Sequence, residues 1–114
     1  MVQFNPHNKL SDETLTIAVR RLVEALSPRA IYLFGSHARG VPRTGSDVDL
    51  MVLLESDCIS GDDYRKAYAA VRPSGLPIEL HFSTQERFNR YADVFGSFQH
   101  EIRQKGIRLY AAES

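Results

Sequence analysis

The sequence has no tryptophan, a single cysteine (Cys58), and no excess of either charge, with 14 Lys and Arg against 14 Asp and Glu. One cysteine closes no internal disulfide, which fits a reducing, cytoplasmic setting, and Cys58 itself reads as an inert loop thiol. A net charge of zero offers no whole-molecule attraction to nucleic acid or to an anionic membrane. A nucleic-acid ligand would need a local basic patch. There is no apolar run of about 18 residues and no secretory leader pattern, so a membrane is not an expected partner. Repeats and low-complexity tracts are missing as well. What remains is 114 residues, 43% of them hydrophobic, enough for one core and too few for two, so 1–114 is expected to be a single domain.

Taken in order, the chain alternates helical and strand-like stretches. After a polar lead-in, Ser11-Asp12-Glu13 gives a helix start, and Leu15, Ala18, Val19, Leu22, Val23 and Leu26 follow at helical spacing up to Ser27-Pro28. Ile31 to Phe34 is a short apolar run, and Ser46 to Leu54 is a second strand, apolar on both sides and therefore expected at the centre of a sheet. A helix is expected from about Asp62 to Val71, with Asp57, Asp62 and Asp63 capping it or solubilising the loop before it. From Leu76 to Phe82 apolar and polar residues alternate, with Ile78, Leu80 and Phe82 on one face and Glu79 and His81 on the other. Ser83-Thr84-Gln85-Glu86 has the form of a capping box, Ser97 starts a last helix that Gly106 ends, and Ile107 to Tyr110 closes as a strand. Phe95, Phe98, Ile102, Leu109 and Tyr110 are expected in the core, since no basic run is interleaved with them. The pattern predicts an α/β fold, a small mixed sheet of three or four strands with helices packed on it.

Chemistry concentrates between Leu33 and Leu54. Gly35 permits a tight turn that brings backbone close to a ligand, and Ser36 is placed to cap a helical turn whose free N–H groups favour an anion. Arg39 adds a planar fork of donors, while Arg43 reads as a solvent-facing charge and His37 as a neighbour of the turn. Asp47 and Asp49 are two apart on a strand, so both carboxylates face one small volume and repel unless a cation lies between them. Hard oxygen ligands of this kind suit magnesium, which completes its shell with water and substrate phosphate. His81 shares the face of Glu79 and is read as a hydrogen-bonding residue at the edge of this site.

The series Gly35-Ser36, Arg39-Gly40 and Ser46-Asp47-Val48-Asp49-Leu50 resembles the nucleotidyltransferases of the DNA polymerase beta superfamily, and within it the minimal nucleotidyltransferases, or MNT proteins. The resemblance continues through Pro77-Ile78-Glu79-Leu80, Ser83 to Glu86, and Gly106 to Tyr110. It implies the polymerase beta-like nucleotidyltransferase fold. It also implies transfer of a nucleoside monophosphate, AMP being the expected group, from an NTP such as ATP to an acceptor hydroxyl by a two-metal mechanism. Carried onto this chain, the resemblance makes Asp47, Asp49 and Glu79 the catalytic residues and the ligands of two Mg2+ ions, with Gly35, Ser36, Arg39 and Ser46 at the nucleotide. Glu79 stands where the family pattern has aspartate, and its extra methylene moves the carboxylate by about 1.5 Å.

The resemblance leaves two roles open. One is an enzyme whose acceptor is a hydroxyl, often a tyrosine's, on a helical HEPN-type protein partner. The other is the antitoxin half of a HEPN/MNT pair that neutralises its toxin by binding, with little or no catalysis. Free nucleic acid is disfavoured as acceptor because the chain has neither a basic groove nor a separate acceptor-binding domain, and self-association is left open.

Overall fold

The computed structural model describes residues 12–35, 38, 47–55, 59–75 and 77–112. The helix α1 (Asp12–Leu26) leads into strands β1 (Ala30–Phe34) and β2 (Val48–Leu54), then α2 (Gly61–Val71), a 3-10 turn at Arg72–Ser74, β3 (Ile78–Thr84), α3 (Gln85–Ala92), α4 (Phe98–Lys105) and β4 (Ile107–Ala111). The strands form one sheet in the order β3-β2-β1-β4. Strands β1 and β2 are antiparallel, β1 and β4 are antiparallel, and β2 and β3 are parallel with α2 as the crossover between them. The sheet is thus mixed, as the residue pattern predicts.

Side-chain alternation on β2 explains why it is central. Val48, Leu50, Val52 and Leu54 enter one cluster with Leu15, Val19 and Leu22 of α1 and Ala67 and Val71 of α2. Met51 and Leu53 point the other way, into a second cluster with Phe88 and Ala92 of α3 and Ile102 of α4. A strand apolar on both faces must have helices on both, and this one does. The helical stripe expected on α1 is the buried one, with Leu15, Ala18, Val19 and Leu22 all at or below 1% exposure.

Helix ends follow local chemistry. Ser60 and Asp63 form a reciprocal capping box on α2, with Asp63 N–H donating to Ser60 Oγ at 3.1 Å and Ser60 N–H donating to Asp63 Oδ2 at 2.9 Å. Ser97 caps α4 by accepting from His100 N–H at 3.0 Å. The α3 cap is displaced by one residue from its expected place: Thr84 accepts from Arg87 N–H at 3.1 Å. Ser83 is buried, paired with Leu53, and its Oγ donates to the Thr84 carbonyl at 3.2 Å in place of capping the helix. Helix α4 ends at Gly106, whose backbone is extended, and the position is glycine because a side chain there would run into the carbonyl oxygens of Ile102 and Leu33.

The aromatic expectation needs a correction. Ile102 and Leu109 are core residues, but Phe95 is 91% exposed and Phe98 49% exposed. Phe95 lies in the α3–α4 connection, where the Tyr91 and Val94 carbonyls accept from the Val94 and Ser97 N–H groups, and Phe98 opens α4 with its ring edge-on to Phe34. Among the described residues no helix is long and apolar enough to cross a membrane.

Candidate active site

The site lies on the α3–α4 face, where β1 ends and β2 begins. Phe34 pairs with Asp49 across β1–β2, and Asp49 pairs with Glu79 across β2–β3. Parallel register with a period of two then places His81, beside Met51, on the same face as Glu79. Asp49, Glu79 and His81 each offer one donor atom to a space in which these atoms lie within 4.8 Å of one another.

His81 Nε2 is 3.4 Å from Asp49 Oδ1 and 3.8 Å from Glu79 Oε1. The first is a long hydrogen bond and the second is an ionic contact only when the ring is charged. Packing fixes the ring: Phe34 meets it edge-on with centroids 5.0 Å apart. The side chains of Asp49 and His81 are 26% and 31% exposed, and that of Glu79 is 54% exposed, so a solute reaches the group without any rearrangement.

Gly35 closes the group from the β1 side. Its φ of +79° is a left-handed conformation that disfavours side chains, and a β-carbon there would stand 2.6 Å from Asp49 Oδ2. Two independent reasons therefore require glycine. The backbone must turn, and it must do so against the carboxylate.

Of the residues expected from sequence, Gly35, Asp49 and Glu79 are brought together. Asp47 immediately precedes β2 and is exposed, and its carboxylate is not among the three grouped donors. Ser36, Arg39 and Ser46 lie outside the described residues, as do Ser11, His37, Arg43, Asp57 and Cys58. His81 is the member that sequence reasoning placed at the margin. Its alternation with Glu79 was visible, but its reach to Asp49 depends on a register that no local pattern encodes.

Two carboxylates and an imidazole around one small volume fit a divalent cation. The oxygens suit Mg2+ or Mn2+, and the nitrogen is a donor that first-row transition ions accept more readily than Mg2+ does. The chemistry and the fold together define an α/β domain with two carboxylates and an imidazole grouped across β2 and β3, beside the turn that ends β1.

The model of the family described as polymerase beta, nucleotidyltransferase matches residues 19–114. The chain belongs to that family, and its mixed sheet with flanking helices is the family's fold. Among solved structures, a toxin–antitoxin structure with AMP-PNP aligns with a TM-score of 0.61 at 17% identity, over 91% of this chain and 76% of that one. A mutant of the toxin–antitoxin pair MntA-HpeT aligns with a TM-score of 0.55 at 18% identity, over 92% of this chain and 76% of that one. No curated protein sequence matches the chain. The resemblance to the nucleotidyltransferases of the polymerase beta superfamily is thus borne out in family, and the two alignments bear it out in fold.

Proposed function

We propose that the protein transfers a nucleoside monophosphate, AMP in the first instance, from an NTP to a hydroxyl on a partner protein. The observation that carries this reading is the convergence of Asp49, Glu79 and His81 at the mouth of the Gly35 turn in a nucleotidyltransferase fold. Asp49 and Glu79 are the residues that would hold Mg2+ or Mn2+, His81 adds a nitrogen donor, and Asp47, which precedes β2 outside this group, would join them only once the cation is bound. A divalent cation bound there supplies charge neutralisation at the transferring phosphoryl group and orients it for in-line displacement.

The chain's own residues do the rest. Glu79, whose side chain is more exposed than that of Asp49, would accept the proton of the acceptor hydroxyl. His81 holds Asp49 in position through the Nε2 contact, and Gly35 lets backbone approach the phosphates closely. Ser36, Arg39 and Ser46 belong in this reading as phosphate contacts. In the reaction the acceptor oxygen forms a bond to the α-phosphorus as the bond to the bridging oxygen breaks, and pyrophosphate leaves.

A protein acceptor is favoured because the two solved structures described above are toxin–antitoxin structures and one of them was solved with AMP-PNP. The same observation supports a second reading, in which this chain neutralises a helical HEPN-type partner by binding it. Co-expression with such a partner, followed by intact-mass measurement, tests both. Transfer predicts a mass gain of one nucleoside monophosphate on the partner that disappears in Asp49→Ala while the melting temperature is unchanged. A stable complex with no mass gain in either protein would transfer the role to binding. Loss of neither activity nor metal binding in Asp49→Ala would sink the site assignment.

A further inference from the structure

We infer that the cavity between the end of β1 and α4 is a nucleobase pocket for the donor nucleotide, an inference that rests on the reading above. The cavity has a volume of about 240 Å3 and is lined chiefly by Phe34, Gly35, Phe98, Glu101, Ile102 and Lys105. That is below the roughly 300–1,000 Å3 of sites that enclose a whole drug-sized ligand, so it accommodates one flat ring system and leaves sugar and phosphates outside.

Its position is the first argument. Gly35 is both a wall of the cavity and the residue on which a β-carbon would collide with Asp49 Oδ2, so cavity and carboxylate centre share one wall. Sheet order supplies direction. Glu79, on β3, stands on one side of Asp49, and β1 with the cavity stands on the other. An acceptor hydroxyl approaching Glu79 leaves the cavity side for the donor.

The lining is the second argument. Phe98 meets Phe34 edge-on at 5.3 Å, has the His81 ring 6.2 Å away, and keeps 49% of its surface exposed, so a half-exposed aromatic ring lines the cavity. Ile102, 2% exposed, forms an apolar floor. At the rim Lys105 Nζ and Glu101 Oε1 are 3.1 Å apart, an adjacent donor and acceptor of the kind that the edge of a nucleobase also presents. Stacking on an aromatic ring needs no particular base, and the polar rim adds orientation.

The test is calorimetric titration of ATP and, separately, inorganic tripolyphosphate into the full chain with Mn2+ present, for the wild type and Phe98→Ala. The expected result is a wild type that prefers ATP and a variant in which ATP binding falls at least about tenfold while tripolyphosphate binding is unchanged. As a second readout, the Ile102 methyl resonance should shift with ATP and not with tripolyphosphate. Tripolyphosphate binding as tight as ATP binding, or an equal loss of both in Phe98→Ala, would overturn the pocket and leave the metal–phosphate reading standing. Failure of the wild type to bind either ligand would overturn that reading, and the pocket with it.

Discussion

The two faces of the sheet are built from the same strands and finished differently. Among the described residues, 15 buried side chains form one cluster on the α1–α2 face that runs along β1 and β2. On the α3–α4 face the buried cluster has six among the described residues, and Asp49, Glu79 and His81 lie beside it and outside it. Alternation along β2 makes the division: residues 48, 50, 52 and 54 serve the first face, whereas 49, 51 and 53 serve the second and begin with a carboxylate. One face therefore supplies stability alone. The other shares its short core with a polar group that holds like charges close together.

The sharpest way to break this comparison is to remove one large side chain from each face. Phe88 is 1% exposed and stacks on Tyr32 with ring centroids 5.4 Å apart, so Phe88→Ala should destabilise by about 3–5 kcal/mol. Leu22→Ala, on the other face, should cost about 2–5 kcal/mol. Denaturant unfolding reads both losses. Mn2+ titration then separates the faces: Phe88→Ala loosens β1 behind Phe34 and should weaken metal binding, whereas Leu22→Ala should leave it as in the wild type. Equal effects on the metal would show that the faces are not energetically distinct.

A smaller effect is expected at the boundary between the faces. Gly35→Ala must accommodate a β-carbon at φ +79° and displace Asp49 Oδ2, and backbone strain of this kind costs about 1–3 kcal/mol. The loss of Mn2+ affinity should exceed what the lost stability alone produces, because the displaced atom is itself a donor. Wild-type metal affinity in Gly35→Ala would show that Asp49 is not held by this contact.

How far the sequence carries depends on whether a feature is local. The two-sided apolar run of β2, the α1 stripe and the glycine turn are one-dimensional patterns with one physical solution each, and they appear as expected. The pairing of Asp49 with Glu79 was legible through resemblance, since nothing local links residues 30 apart. His81 joins them through parallel register, and that is set by the α2 crossover and the core, not by the residues around His81. Likewise, Ser83 fits the cap pattern but its hydroxyl is buried and bonded to the Thr84 carbonyl, and Phe95 and Phe98 have core composition but fall on the α3–α4 connection and the first turn of α4, where both stay exposed. Each miss is a case of tertiary context deciding among locally acceptable states.

The smallest effect tests whether the α1–α2 face also tolerates damage at its edge. Ser60→Ala removes the side-chain acceptor for Asp63 N–H and half of the α2 capping box, which costs about 1 kcal/mol. Helix α2 is the crossover that sets the register of β3 against β2, so fraying at its start is carried toward Ile59 and the loop, away from Ala67 and Val71, which anchor its later turns in the core. The expected outcome is a lower melting temperature with Mn2+ affinity unchanged, since Glu79 and His81 are held by β3 pairing and Tyr68 Oη still accepts from Leu80 N–H at 3.1 Å. A fall in metal affinity larger than the fall in stability would mean that the cap of α2 controls the register of β3, and that the face devoted to stability reaches through the sheet to the site.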